Sequence, residues 1–500
     1  MSLPTEVLTL IVAHTDANTR HALRAASRGL RNAVDANCKA LTLPRTRTCS
    51  PAAVLLALQS AAACCNRWGG VRALTLKDLG AECMRPALAL LNGAARHCPE
   101  LSTITLARLD CKLSLALTSC LSSCRLASLT SLALTASNHG ESLPLTPVGE
   151  LSSLTALTVI GRADVASAAW LPPGLRRLRL GALDLEHPGI GGTSWLDAIG
   201  ACRGLEVLEL SWLDGLDLGP EPDHPDDEFD FTKFYSSIGQ LTNLRELIGV
   251  FYREANGLAE IYSIDGFEAH LLLPKLTALQ RLALYTGFED QMDPAIKGPL
   301  SSLAAQCATL EELAFGALPA ADDADAALVP CFPRLDGLHI TFSQHKSYPP
   351  SLRSTFPAVS RLIVGCNASY YGAVVDFDAV ASLPCCTSLS IMEAPDMPEL
   401  SGISDFYGRI DALSRCSTLR HVRLSSLFKA PLEECLELAI APQIRVLEMH
   451  GCTFDDEVSP NALATSLRVV ARRREGFSVV VEPRPLSPLP CLLPHDILDG

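Results

Sequence analysis

Nineteen cysteines and twelve histidines give this chain many side chains that could bind metal or attack a substrate. Three cysteine arrangements are tight enough to share a metal ion: Cys64-Cys65, Cys120-x-x-x-Cys124 and Cys385-Cys386. A structural zinc site needs a second ligand pair at matching spacing, and none accompanies these three. Gly189-Ile-Gly191-Gly192 has the glycine density of a phosphate loop but, lacking its spacing, reads as a flexible connector. The patterns GxxxxGK[ST], HExxH and GxSxG do not occur. No catalytic residue, cofactor or bound metal is expected, and the chain reads as a non-enzyme.

Chemistry without catalysis is recognition, and recognition needs elements that hold side chains in array. The chain supplies them through one recurring phrase, Leu-x-x-Leu-x-Leu. It stands as Leu101-Ser-Thr-Ile104-Thr-Leu106, Leu175-Arg-Arg-Leu178-Arg-Leu180 and Leu205-Glu-Val-Leu208-Glu-Leu210. Variant copies start at Val71, Leu129, Leu154, Leu244, Leu279, Leu310, Leu335, Val359, Cys386, Leu419 and Ile444, with a mean spacing of about 29 residues. The fourth and sixth positions follow the two-residue alternation of a strand with one buried face. The residues after each phrase leave room for a return helix, and right-handed crossovers then make successive strands parallel. Three residues before each phrase the side chain is apolar or nearly so, as at Trp68, Cys98, Leu126, Leu151, Cys202 and Cys416. Leu79, Leu109 and Cys452 stand three residues after the last phrase position, where each turn of the coil closes. Gly249 in the sixth position makes the copy at Leu244 the weakest.

This register hands the polar residues between the leucines to one sheet face. In early copies they are hydroxyls: Thr75, Ser102, Thr103, Thr105, Thr130, Ser131, Thr155 and Thr158. A basic step follows at Arg176, Arg177 and Arg179, then Glu206 and Glu209, then mixed charge at Arg245, Glu246, Arg281, Glu311 and Glu312. Late copies carry Arg420, His421, Arg423, Arg445 and Glu448. The concave-face candidates for partner binding are Arg176, Arg177, Arg179, Glu206, Glu209, Arg281, Glu312, Arg420, His421, Arg423 and Arg445. A second candidate is the acidic insertion 221–235, where Phe229, Phe231, Phe234 and Tyr235 offer apolar contact area in a protein that is 5% aromatic. The basic run at Arg468 and Arg472 to Arg474 reads as a solvated helix end.

The repeats resemble the leucine-rich repeat family, over about residues 71 to 481. Cys98 in His97-Cys98-Pro99-Glu100-Leu101 is similar to the mark of its cysteine-containing subclass. The resemblance implies an α/β fold, a curved solenoid with a parallel concave sheet and a helical convex face. The first 42 residues resemble an F-box, on Leu3-Pro4-x-Glu6-Val7-Leu8-x-x-Ile11 and Ala26-Ser27-Arg28-x-Leu30-Arg31. That family's helices dock on the Skp-type adaptor of a cullin ubiquitin ligase, which implies an adaptor face of Leu3, Pro4, Val7, Leu8, Ile11, Leu23 and Leu30. The same helices would also serve as a cap over the first repeat. The expected order is an F-box-like segment (1–42), a connecting helix and cap (43–70), the solenoid (71–481) and a Pro-rich tail (482–500).

The composition fits this reading, being 48% hydrophobic with a net charge of −14. Such a charge gives no general reason to expect nucleic acid or an anionic membrane as partner. The scattered, odd-numbered cysteines suit reducing conditions, and no signal peptide or membrane span is read. The expectation is a cytoplasmic or nuclear substrate-recognition subunit of a ubiquitin ligase, a monomer outside its complex. The alternative is an interaction scaffold, for example cytoskeletal or ciliary, without a ligase.

Overall fold

A computed structural model describes the chain from residue 38 to residue 482. It leaves out 44–50, 137–142, 165–169, 182–193, 212–235, 253–266, 269–272, 289–290, 298–302, 317–330, 343–351, 367–376, 394–409, 426–431, 453–459 and positions 69, 110, 125, 162 and 295. The F-box-like helices, the aromatic loop residues Phe229, Phe231, Phe234 and Tyr235, and the tail beyond 482 therefore lie outside the described residues. The chain divides after Val207 into two compact units.

Each phrase forms a strand, entered through the same turn. The amide of the first phrase residue donates to the carbonyl three residues earlier: Leu101 to Cys98 at 3.1 Å, Leu129 to Leu126 at 3.1 Å, Leu205 to Cys202 at 2.9 Å and Ile444 to Ala441 at 3.2 Å. That residue opens the turn with its side chain inside, which is why the sequence keeps it apolar. Cysteine suits the place because it is small and its thiol is a weak donor. Cys98 Sγ lies 3.2 Å from the Trp68 carbonyl of the preceding repeat.

In unit 1 the strands are β1 (Ala40–Leu43), β2 (Ala73–Lys77), β3 (Thr103–Leu109), β4 (Ser131–Ala136), β5 (Ala156–Ile160) and β6 (Arg177–Gly181). Consecutive strands are parallel and equivalent residues stand opposite one another: Thr42 on Thr75, Thr75 on Thr105, Thr105 on Ala133, Ala133 on Thr158 and Thr158 on Arg179. β1 belongs to Cys38-Lys-Ala-Leu-Thr-Leu43, a copy of the phrase that the pattern reading did not count. The sheet therefore begins inside the segment assigned by sequence to the F-box and cap. Helices α1 (Pro51–Cys64), α2 (Met84–His97), α3 (Cys111–Ser123) and α4 (Ser194–Ala201) return the chain. α2 buries Ala87, Leu90, Leu91 and Ala94, one face at helical spacing. In one repeat of unit 1 a 3-10 turn stands in place of the helix, at Thr146–Glu150 with Pro in its first turn.

After β7 (Val207–Ser211), unit 2 continues with β8 (Glu246–Tyr252), β9 (Arg281–Phe288), β10 (Gln291–Pro294), β11 (Glu312–Gly316), β12 (Gly337–Phe342), β13 (Arg361–Cys366), β14 (Ser388–Glu393), β15 (His421–Ser425), β16 (Val446–His450) and β17 (Ser478–Glu482). All pair in parallel except β10, which folds back antiparallel on β9 with Phe288 opposite Gln291. The weak copy still forms a strand: Gly249 is placed opposite Leu284, held by Leu247 opposite Leu282. Among the described residues full helices return only late, at α5 (Leu432–Ile440) and α6 (Pro460–Arg473).

The phrase leucines make the core, with Leu76, Leu101, Leu154, Leu205, Leu313, Leu389 and Leu447 all at 0% exposure. Burial pushes the Cys202 thiol up to about 11 and, with Cys416 nearby, the Cys386 thiol up to about 12. Cys120 and Cys124 stand with sulfurs 3.7 Å apart as thiols in contact. No group of three or more His, Cys, Asp or Glu among the described residues is placed to hold a metal. No described helix is long and apolar enough to cross a membrane.

Candidate functional site

The register holds along the parallel ladders apart from one shift between Ala107 and Leu109 at the end of β3, so side chains between the leucines line up in rows across the strands. The two units use these rows differently.

In unit 2 the first row reads Glu246, Arg281, Glu312, Gly337, Arg361, Ser388, His421 and Val446 from β8 to β16. Arg281 bonds Glu246 at 2.9 Å and Glu312 at 2.5 Å. Arg361 reaches Glu312 at 2.7 Å across the intervening strand, because Gly337 puts no side chain in the way. Asp336 adds a second bond to Arg361 at 3.1 Å. Burial opposes the charge on both arginines, yet the carboxylates outweigh it and hold their pKa above the ordinary value. The alternation of charge makes this row a self-satisfied ladder.

The second row, Ile248, Ala283, Ala314, His339 and Ile363, is buried although it points away from the leucine core. His339 Nδ1 lies 3.1 Å from the Tyr285 hydroxyl, both inaccessible, and burial lowers the His339 pKa to about 3. The sequence reading gave each strand one buried face; here these positions carry a second core. Toward the end, Glu448 gathers Arg423 at 2.6 Å and ring nitrogens of His421 at 3.3 Å and His450 at 3.6 Å. The other His450 nitrogen faces Glu482 at 3.4 Å. Burial alone would raise the Glu448 pKa, but Arg423 and the two histidines bring it below its ordinary value.

Arg420 and Arg445 do not join this face. Arg420 donates to the carbonyls of Ser417 at 2.7 Å and Leu419 at 3.0 Å, and Arg445 lies 3.5 Å from the carbonyl of Glu475. Both occupy the second phrase position, at the rim, where turn carbonyls are the nearest acceptors. The basic run behaves similarly: Arg474 donates to Ile444 at 2.8 Å and stacks over Phe477, while Arg468, Arg472 and Arg473 are exposed on α6.

Unit 1 presents a different surface. Its rows hold Thr42, Thr75, Thr103, Thr105, Ser131, Thr135 and Thr158, with alanines, Ile160, Lys77, Arg177 and Arg179. None of these side chains is buried. Rim hydroxyls are spent on the backbone: Ser102, Thr130 and Thr155 each donate to the preceding repeat, at 3.3, 3.2 and 3.1 Å. The seven face hydroxyls bond no other protein group among the described residues.

No carboxylate stands on this face from β1 to β6, and those at its rims are engaged. Glu100 bonds Arg72 at 2.8 Å, and Glu206 bonds Arg176 at 3.2 Å. Asp78 takes Arg108 at 2.7 and 2.9 Å. Asp78 and Arg108 both adopt left-handed backbone, φ 55° and 52°, so this paired charge offsets a local strain of about 1 kcal/mol per residue. A shallow groove of about 500 Å³ lies between α1 and α2, lined by Ala62, Ala89, Asn92, Gly93 and Arg96 among others.

Of the concave candidates, Arg281 meets Glu312, and His421 meets Arg423 through Glu448; Glu209 sits half-buried on β7. Arg361, Asp336, His339, Tyr285, His450 and Glu482 were missed. Writing each phrase under the next would have found Arg361 and His339, since they fill the columns of Arg281 and Arg423.

No protein-family model and no curated protein matches the chain. Solved structures similar to it include the TLR13–ssRNA13 complex, at 12% identity and TM-score 0.41, covering 79% of this chain and 54% of that one. The Toll–Spätzle complex of Drosophila follows at 11% and 0.37, covering 77% and 51%. A leucine-rich repeat protein of Bacteroides thetaiotaomicron stands at 10% and 0.23, covering 79% and 51%. The chain spans about half the length of these chains. The fold rests on its own register: each unit is a parallel coil of leucine-rich repeats.

Proposed function

We propose that this chain is a non-catalytic interaction scaffold that captures a protein partner on the open sheet of unit 1. The observation that supports it is a described, accessible sheet face bearing seven hydroxyls with no protein partner, in a coil whose other strand rows satisfy themselves. A bulky substitution there, Thr105→Trp with Thr158→Trp, is expected to abolish partner capture from cell extract while leaving the melting curve in place. Capture unchanged by this pair would overturn the reading.

The finer proposal is a substrate receptor of a Skp-cullin-F-box ubiquitin ligase, supported by the resemblance of Leu3 to Ile11 and Ala26 to Arg31 to an F-box ahead of a repeat array. Adaptor binding that is lost on Leu8→Asp with Ile11→Asp supports it; the absence of any adaptor complex with the folded full chain removes it. A scaffold outside any ligase instead keeps its partners when residues 1–36 are deleted.

A further inference from the structure

We propose that the unit 1 sheet binds an extended acidic peptide lying across the strands, its carboxylates meeting Lys77 at one end and Arg177 at the other. The inference rests on the reading of this face as the docking surface and names the chemistry of its occupant.

The charge distribution carries it. Every charged side chain on the face is a cation, and each rim carboxylate already holds an arginine: Glu100 with Arg72, Asp78 with Arg108, Glu206 with Arg176. The face thus attracts anions in a chain whose net charge is −14. The asymmetry extends to the whole unit. Residues 1–207 hold 20 Lys and Arg against 14 Asp and Glu, whereas residues 208–500 hold 21 against 41.

The shape of the face selects a peptide. Lys77 stands on β2 and Arg177 on β6, four strand spacings away, so the two charges lie roughly 20 Å apart. An extended chain covers that distance in about six residues. Between them, apart from Ile160, the side chains are alanines and hydroxyls, short enough to let a backbone approach, and the hydroxyls are able to bond its amides and carbonyls. No aromatic side chain stands on these rows, so bases of a single-stranded nucleic acid would find no stacking platform, and three cations are few for a phosphate backbone.

The test is selection from a displayed random-peptide library on the immobilised full chain, followed by fluorescence anisotropy of the selected peptides and of a short oligouridylate. Selected peptides are expected to carry Asp or Glu pairs about six residues apart. Lys77→Glu with Arg177→Glu should weaken them about tenfold or more, and Lys77→Arg with Arg177→Lys should retain them. Circular dichroism melting, unchanged in both variants, shows that the fold is kept. Peptides lacking acidic residues, indifference to the charge reversal, tighter binding of the oligouridylate, or no selected peptide at all would each overturn the proposal. Peptides lost on Thr105→Trp with Thr158→Trp yet indifferent to charge reversal sink the acidic partner alone and leave the docking face standing; peptides indifferent to both sink the docking face as well.

Discussion

At the residue scale, similar side chains do different work according to one position in the phrase. Arg281 and Arg420 both follow a repeat leucine closely, yet Arg281 sits on the sheet between two glutamates and Arg420 folds back onto turn carbonyls. Glu312 is the shared acceptor of Arg281 and Arg361 and is only 16% exposed. Glu312→Ala should therefore cost about 1–3 kcal/mol in denaturant unfolding, more than Glu246→Ala, which leaves Arg281 one partner. Glu448 sets a pH dependence whose sign follows from its lowered pKa. Its contribution is present above the unfolded carboxylate value of about 4.5 and is lost as pH falls through the lower folded value. Wild type should lose stability on acidification in that window, and Glu448→Gln should show a shallower fall in melting temperature. The cysteines divide by burial in the same way. Cys202 and Cys386, held protonated with pKa about 11 and about 12, should resist iodoacetamide in the native state. Exposed Cys331 and Cys385 should alkylate, as peptide mass spectrometry would show.

At the element scale, the strand is legible from sequence because its alternation is strict, and the return segment is not. Thr103 to Ala107 alternates as read, with Ile104 and Leu106 buried and Thr103 and Thr105 half-buried, and the alternation breaks only at Arg108. Leu106→Ala should cost about 2–5 kcal/mol while Thr105→Ala changes stability by less than about 0.5 kcal/mol. The expected helix is not kept in every repeat: a 3-10 turn stands at Thr146–Glu150, Leu273–Lys275 and Ile410–Arg415, while Leu432–Ile440 is helical in a repeat as short as the first of these, so spacing alone does not select the return element. β1 went unread although Cys38-Lys-Ala-Leu-Thr-Leu43 fits the phrase as the copy at Cys386 does, and its pairing with β2 places it in the sheet. One turn shows how tightly repeats approach. Gly161 has φ +123°, and a Cβ there would meet Ala136 Cβ at 2.5 Å. Gly161→Ala should destabilise unit 1 by about 1 kcal/mol or more by strain and clash together, read from its unfolding midpoint.

At the scale of the whole molecule, a repeat coil gains its stability mainly from neighbour-on-neighbour contacts, so damage should stay near its origin. Leu447→Ala in β16 should raise amide exchange across β15 to β17 and leave β2 to β4 protected. Uniform loss of protection would show that the two units unfold as one.

The sequence by itself determined the strands, their parallel order and the leucine core, because a repeat of about 29 residues with two apolar places in alternation admits few other foldings. It also indicated which side chains share a face. Tertiary structure alone decided which faces are open. Whether a row is solvated depends on what lies over it, and Ile248, Ala283 and His339 form a second buried row that a strand with one buried face does not call for. Pairing across the missing side chain of Gly337, and the engagement of every rim carboxylate around the threonine face, depend on distances between repeats. Those distances are set by packing, and no single repeat contains them.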